Sequence, residues 1–172
     1  ALLSELLSLE RMDHPQDRHE IISVEGLINT VINQCEIEAS AKSIRLESDA
    51  PLTHTARIKG TASLLERAIE NTLRNAIKYS PKNTHIQLSL TSTPEFVTLT
   101  IADSGPGVKE DNLERIFNPF FREDQARTHG TGGIGLGLSI AQKAIQLHSG
   151  TIEAHNRADG GLSIAITLPF TL

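Results

Sequence analysis

From residue 20 onward, apolar residues recur at helical spacing in three segments of the chain. Along Glu25–Lys42 they fall every three or four residues, at Leu27, Ile28, Val31, Ile32, Cys35 and Ala39. Such spacing places them on one face of an amphipathic helix. Thr61–Tyr79 repeats the pattern, with Thr61 as a candidate N-cap and Pro81 after the end. Leu136–Leu147 is predicted to be the third helix.

Other segments alternate between apolar and polar positions, as half-buried strands do. In His85–Leu90 and Phe96–Ile101 every second residue is apolar, and Thr93-Pro94-Glu95 between them predicts a hairpin. Further strands are predicted at Glu20–Val24, Ile44–Leu46, Ala56–Ile58, Thr151–Ala154 and Leu162–Leu168, the last two around a Gly160-Gly161 turn. Helices mixed with antiparallel strands indicate an α+β fold, a two-layer α/β sandwich with helices on one face of the sheet.

The first 19 residues are predicted to lie outside the main domain. Residues 1–12 carry leucines at helical spacing, too few to form a stable helix alone, so residues 1–13 are interpreted as the end of a helix from a neighbouring domain. Residues 14–19 are polar, follow on from Asp13, include Pro15 and are interpreted as a linker. A single domain is predicted for residues 20–172.

Charge narrows the possible ligands. The net charge of -5 gives no reason to expect a nucleic-acid partner. An acidic chain that binds an anion needs local hydrogen-bond donors to offset its own field.

The single cysteine, Cys35, excludes an internal disulfide and is interpreted as a small buried residue of the first helix. No apolar run approaches the roughly 18 residues that span a bilayer.

Asparagine and lysine form a stripe on the second helix. Asn71, Asn75 and Lys78 are spaced i, i+4, i+7, on the side opposite Leu65, Ile69, Leu73, Ala76 and Ile77. Asparagine contributes little to helix stability, but its carbonyl oxygen suits Mg²⁺, and its amide can contact phosphate. A polar outer face without a binding role would give the same pattern.

Asp103 follows Val97, Leu99 and Ile101 at the same two-residue spacing, so it is predicted to lie on the same covered face of the strand. It is followed by Ser104-Gly105-Pro106-Gly107. A carboxylate on the covered face is costly unless it accepts hydrogen bonds. The amino group of adenine would be a suitable donor, and the glycines would let a flat base approach. The alternative is a turn in which the carboxylate accepts from local backbone amides.

Glycine is densest at Gly130–Leu138, directly before the last helix. Backbone amides at a helix N-terminus form an anion site, although a flexible hinge is the alternative. No Gly-Lys-Ser/Thr follows, so the run is not a Walker loop. Ile116–Arg122 holds three of the five Phe residues, and Arg122 to Gly132 suits a mobile lid in which Arg122 and Arg127 either reach phosphate or are solvated.

Together these segments resemble the catalytic domain of sensor histidine kinases in the GHKL superfamily. In order they match its N box (residues 70–81), G1 box (103–107), F box (117–122) and G2 box (133–140). The resemblance implies a mixed, mostly antiparallel sheet covered on one face by helices. It also implies ATP and Mg²⁺ as ligands, and transfer of the γ-phosphoryl group to a histidine outside this sequence.

The resemblance assigns roles residue by residue. Asn75 would coordinate Mg²⁺, and Asp103 would bind the adenine amino group beside Gly105 and Gly107. The remaining nucleotide-binding positions would be Asn71, Lys78, Tyr79, Phe117, Arg122, Gly133, Gly135, Leu136, Gly137 and Leu138. No residue is assigned as a general base. DNA gyrase and chaperone relatives place a glutamate at the position of Asn71, which favours a kinase over an ATPase here.

The resemblance further implies partners. They are a histidine-bearing dimerisation domain of the same protein, whose helix residues 1–13 would end, and a response regulator. The fragment is expected to be monomeric and its parent homodimeric, with this part cytoplasmic and the parent anchored in a bacterial inner membrane. No histidine here has the context of the family's phosphoacceptor, so the fragment is expected to bind nucleotide without autophosphorylation. An ATPase module, a nucleotide-free adaptor and a serine-directed anti-sigma-factor kinase are the alternatives.

Overall fold

The computed structural model describes residues 20–49, 56–123 and 135–170. Its three helices are α1 (Val24–Ala41), α2 (Ala62–Tyr79) and α3 (Gly137–Leu147). Two short 3₁₀ turns, Glu110–Asn112 and Arg115–Phe117, precede α3. The strands are β1 (Glu20–Ser23), β2 (Arg45–Asp49), β3 (Arg57–Gly60), β4 (His85–Ser92), β5 (Phe96–Ala102), β6 (Thr151–Asn156) and β7 (Leu162–Pro169).

Five strands form the main sheet, in the order β2-β4-β5-β7-β6. β2 runs parallel to β4, and the other neighbours are antiparallel, so the sheet is mixed. The register aligns the buried residues across the sheet, since Ile101 of β5 pairs with both Leu88 and Ile164. β1 and β3 form a separate antiparallel pair. The predicted α+β class, the hairpin and the Gly160-Gly161 turn are all confirmed.

Helices α1, α2 and α3 lie on one face of the sheet, with α2 packed between the other two. The amphipathic pattern of α2 explains this position, because its apolar residues Leu65, Ile69, Leu73, Ala76 and Ile77 are all buried. The core consists mainly of isoleucine, leucine, valine and alanine, as a chain with 3% aromatic residues requires. Cys35 is fully buried on α1, as predicted.

The start of α2 corrects one detail of the sequence interpretation. Thr61 occupies the N-cap position, but its side chain makes no capping hydrogen bond. Its backbone N–H instead donates to Nε2 of His148, at 2.9 Å. Nδ1 of the same ring lies 2.7 Å from the carbonyl oxygen of Ala144, so Nδ1 carries the proton. His148 thus ties the start of α2 to the end of α3, a contact between residues 87 positions apart.

The predicted helix end at residues 1–13 and linker at 14–19 lie outside the described residues, and that division stays a prediction. Among the helices that the structure does describe, none combines the length and the apolar character needed to cross a membrane.

Candidate functional site

The polar stripe predicted on α2 exists. Asn71 and Asn75 are half-buried, and Lys78 is exposed near the C-terminal end of the helix. The Lys78 ammonium lies 5.1 Å from the centre of the Tyr79 ring, and Tyr79 is 46% exposed. The stripe therefore runs from a partly covered middle to an open end, where two side chains are available to a ligand.

Asn71 faces the beginning of α3. A Cβ atom on Gly137 would lie 3.8 Å from both Cβ and Cγ of Asn71, so helix α3 starts in contact with this side chain. Nδ2 of Asn71 is buried and has no hydrogen-bond partner. Among the side chains of the described residues it is the sole buried nitrogen or oxygen in that state. Because a buried donor without a partner is costly, this atom suits a hydrogen-bond acceptor supplied by a ligand.

The N-terminus of α3 supplies further donors. Gly137 is the first helical residue, and the first amides of a helix have no partner within the helix. The leucines on either side are buried, Leu136 at 1% exposure and Leu138 at 9%, so their side chains anchor this end of α3 in the core. Asn71 and the α3 N-terminus therefore form one place on the molecule that suits an anion.

Asp103 follows directly after β5 and is 4% exposed, which confirms that it shares the covered face of that strand. Its Oδ1 accepts hydrogen bonds from the backbone N–H groups of Gly105, at 2.8 Å, and Leu162, at 3.0 Å. Burial raises the pKa of the carboxyl, although these two hydrogen bonds and the charge of Arg157 oppose the shift. Oδ2 has no hydrogen-bond partner within the described part of the chain and is the oxygen left for a ligand.

The two interpretations of Asp103 are thus compatible. The carboxylate does accept from a local amide, as the turn alternative required, but this occupies one oxygen only. A Cβ on Gly105 would lie 3.0 Å from the carbonyl oxygen of Tyr79 and 3.1 Å from Oδ1 of Asp103. The residue is therefore glycine because the loop passes close to the C-terminal end of α2.

Helix α2 consequently joins the two halves of the site. Its middle touches the start of α3 at Asn71, and its end touches the loop of residues 103–108, the Asp103 loop, at Tyr79. Eight residues separate these contacts, or about 12 Å along the helix axis. A ligand that uses both must be elongated, with an anionic group at one end and a hydrogen-bond donor at the other.

The phenylalanine segment packs against the same region. Phe117 is 4% exposed and belongs to the core. Phe120 has a positive φ of 65°, and its N–H donates to the carbonyl oxygen of Gly135, at 2.8 Å. Gly135 also has a positive φ, and a Cβ there would lie 3.0 Å from Phe121 O. Arg122 is half-buried beyond this contact.

Two predictions of the sequence analysis fall outside the described residues. They are Gly133, and the greater part of the segment interpreted as a mobile lid, which includes Arg127.

Sequence reasoning missed three residues beside the Asp103 loop. Asn156 and Arg157 hydrogen-bond its backbone, and Gly161 packs closely against Asp103. Sequence reasoning had identified Gly161 only as part of a turn. It also missed Lys42, whose ammonium donates to the carbonyl oxygens of Ile77, at 2.6 Å, and Ser80, at 2.8 Å, and so caps the end of α2. No local pattern marks these residues, because each acts on a distant part of the chain.

Comparison with known proteins agrees with this geometry. The family profile described as "Histidine kinase-, DNA gyrase B-, and HSP90-like ATPase" matches residues 60–172. The sensor histidine kinase CpxA of Escherichia coli K12 is 37% identical over 150 residues, 87% of this chain and 32% of that protein. SenX3, a sensor-like histidine kinase of Mycolicibacterium smegmatis, is 30% identical over 170 residues, 98% of this chain and 44% of that protein.

A solved structure of the mycobacterial sensor histidine kinase MprB superposes with a TM-score of 0.78 at 28% identity. The superposition covers 88% of this chain and 97% of that one. The chain spans less than half the length of these two curated relatives. With the profile matched over most of its length, the chain belongs to the family of histidine kinase-, DNA gyrase B- and HSP90-like ATPases.

Proposed function

We propose that this chain is the catalytic, ATP-binding domain of a sensor histidine kinase. In this proposal Asp103 accepts a hydrogen bond from the amino group of adenine, with Gly105 and Gly107 beside the base. The triphosphate extends along α2 toward Asn71 and the start of α3. The γ-phosphoryl group is then presented to a histidine of a separate dimerisation domain.

The observation that carries the proposal is the buried, unpartnered Nδ2 of Asn71 beside Gly137. In a chain of net charge -5, a donor without an acceptor next to a helix N-terminus is the local offset that a polyphosphate needs. Lys78, exposed on the same stripe, would add a positive charge. Phosphoryl transfer depends mainly on positioning and charge neutralisation, which these groups provide.

Asn75 is the residue we propose as the Mg²⁺ ligand, through its neutral carbonyl oxygen. The parts of the chain that the structure describes contain no cluster of three or more His, Cys, Asp or Glu side chains that could hold a metal. This fits Mg²⁺, which proteins commonly bind through one or two side chains together with substrate phosphates. When bound, the ion would neutralise charge on the phosphates.

Asn71 favours transfer to a histidine over hydrolysis. An amide cannot take a proton from water, so the phosphate end of the site offers no general base at this position. In the full-length protein the acceptor histidine would lie on a dimerisation domain, and the phosphoryl group would pass on to a response regulator. We further propose a homodimeric parent that is anchored in a bacterial inner membrane, with this domain on the cytoplasmic side.

The test is a calorimetric titration of the chain with ATP, with Mg²⁺ and with EDTA in its place. Asn75→Ala should weaken binding about tenfold or more in Mg²⁺. In EDTA the variant and the wild type should bind alike, because the lost contact is to the metal. Asn33→Ala, at an exposed position of α1, is the matched control and should bind like the wild type under both conditions. Absence of ATP binding by the wild type would refute the proposed function.

A further inference from the structure

The Asp103 loop is held from behind by the end of β6. The Asn156 side chain contacts Val108 at two points. Its Oδ1 accepts from the Val108 N–H, at 2.9 Å, and its Nδ2 donates to the Val108 carbonyl oxygen, at 2.6 Å. One amide thus satisfies both backbone groups of a single residue, as a neighbouring strand would do. Nδ2 also donates to a carboxylate oxygen of Glu110, at 2.9 Å.

The backbone of the loop is fitted to this amide. Gly107 has a positive φ of 74°, and a Cβ there would lie 2.7 Å from Oδ1 of Asn156. Arg157, which follows Asn156 in the chain, donates from its guanidinium to the carbonyl oxygen of Asp103, at 2.8 Å. Two consecutive residues therefore fix the loop at both of its ends, at Asp103 and at Val108.

Neither residue has a proposed contact with the nucleotide, but both hydrogen-bond the backbone of the loop that carries Asp103 and Gly105. The N–H of Gly105, which orients the Asp103 carboxylate through Oδ1, belongs to the backbone between these two fixed points. If the Val108 end moves, this N–H moves with it. Oδ1 then keeps only its hydrogen bond from the Leu162 N–H, at 3.0 Å, so the direction of Oδ2 is less firmly fixed.

We propose that Asn156 is a positioning residue for recognition of the nucleotide base, acting through the Gly105–Val108 backbone on Asp103. This inference rests on the proposed function, since it requires that Asp103 contacts the base. It assigns Asn156 no contact with the nucleotide. The loss on substitution should therefore appear in the affinity for the base and depend on the Asp103 carboxylate.

Asn156→Asp is the informative substitution because it keeps the size and one acceptor. It removes the donor to Val108 and places a carboxylate against the Val108 carbonyl oxygen and Glu110. We expect ATP affinity to fall about tenfold or more. Adding Glu110→Gln should restore part of the loss, since it removes the like-charge repulsion. Asn33→Asp, the same change at an exposed position of α1, should leave affinity unchanged.

A double-mutant cycle with Asp103→Asn separates positioning from general damage. If Asn156 acts through Asp103, Asn156→Asp should cost much less in the Asp103→Asn background than in the wild type. Affinities in that background are read by competition at high nucleotide concentration. Equal losses in the two backgrounds would overturn the proposal. Unchanged ATP affinity of Asn156→Asp would also overturn it and leave the proposed function intact, whereas a wild type that binds no ATP would refute the function itself.

A spectroscopic reading covers the case in which Asn156→Asp does not fold. Asn156→Ser removes the paired amide without adding a charge, and the Gly105 amide proton reports its bond to the carboxylate. We expect its NMR resonance to move upfield in nucleotide-free Asn156→Ser, because the hydrogen bond lengthens. An unchanged Gly105 resonance together with unchanged ATP affinity would refute the positioning role.

Discussion

Asp103→Asn tests base recognition with very little change in structure. Oδ1 of Asp103 holds both backbone hydrogen bonds, at 2.8 and 3.0 Å, and an asparagine can keep them through its own Oδ1. The substitution then changes only Oδ2, which becomes an NH₂ group. The proposed adenine site then has a hydrogen-bond donor at the position where it had an acceptor.

The expected loss follows from that exchange. A hydrogen bond to a charged acceptor contributes about 1.5–3 kcal/mol, and a buried donor that faces another donor costs about 1–3 kcal/mol more. Their sum is about 3 kcal/mol or more, which corresponds to roughly a 100-fold weaker affinity for ATP. Inosine triphosphate carries a carbonyl oxygen where adenine has its amino group. The ratio of affinities for ATP and inosine triphosphate should therefore shift toward inosine triphosphate.

Competition titrations of both nucleotides against a fluorescent ATP analogue measure that ratio in wild type and variant. A variant that binds ATP within threefold of the wild type (about 0.6 kcal/mol) would show that Asp103 does not contact the base. An equal loss of affinity for ATP and for inosine triphosphate would indicate a disturbed loop, and it would also contradict a direct contact between Asp103 and the base.

Stability supplies an independent reading of the same variant. Burial raises the pKa of Asp103, so the folded protein holds this proton more tightly than the unfolded chain does. Wild-type stability is therefore lost as the pH rises from the ordinary carboxyl value through the raised folded pKa. Asparagine has no such titration. Without nucleotide, Asp103→Asn should be more stable than the wild type at neutral pH, and urea unfolding should show this gain shrinking toward about pH 3.

Two further substitutions test other parts of the site. Asn71→Glu should raise steady-state ATP hydrolysis above that of Asn71→Gln, because the carboxylate can activate water beside the phosphates; unchanged hydrolysis with ATP still bound would count against this placement. Gly161→Ala should cost more than about 3 kcal/mol in urea unfolding, since its Cβ would lie 2.1 Å from the Asp103 carbonyl oxygen. Gly160→Ala, at a similar φ but with nothing within 4 Å, should cost only about 1 kcal/mol, and equal costs would contradict the role of that contact.

The sequence alone determined the elements of this fold and the chemical types at its site. The period of α2 set its buried face, and the alternation along β5 carried Asp103 onto the covered side, because burial of one face selects residue types locally. The glycines before α3 marked the start of a helix, where backbone amides without helical partners suit an anion. Their assigned roles toward nucleotide and metal remain predictions, yet the residues that carry them were visible in the chain.

Only the tertiary structure decided which distant residues support that site. Asn156 meets Val108 across 48 positions of sequence, and Asp103 meets Leu162 across 59. These contacts depend on the strand order, which places β7 between β5 and β6, and on the register of each pair. The type of a residue indicates whether its position is buried, but it does not indicate which distant backbone the side chain contacts. In the sequence, Asn156 therefore cannot be distinguished from any other polar residue at the end of a strand.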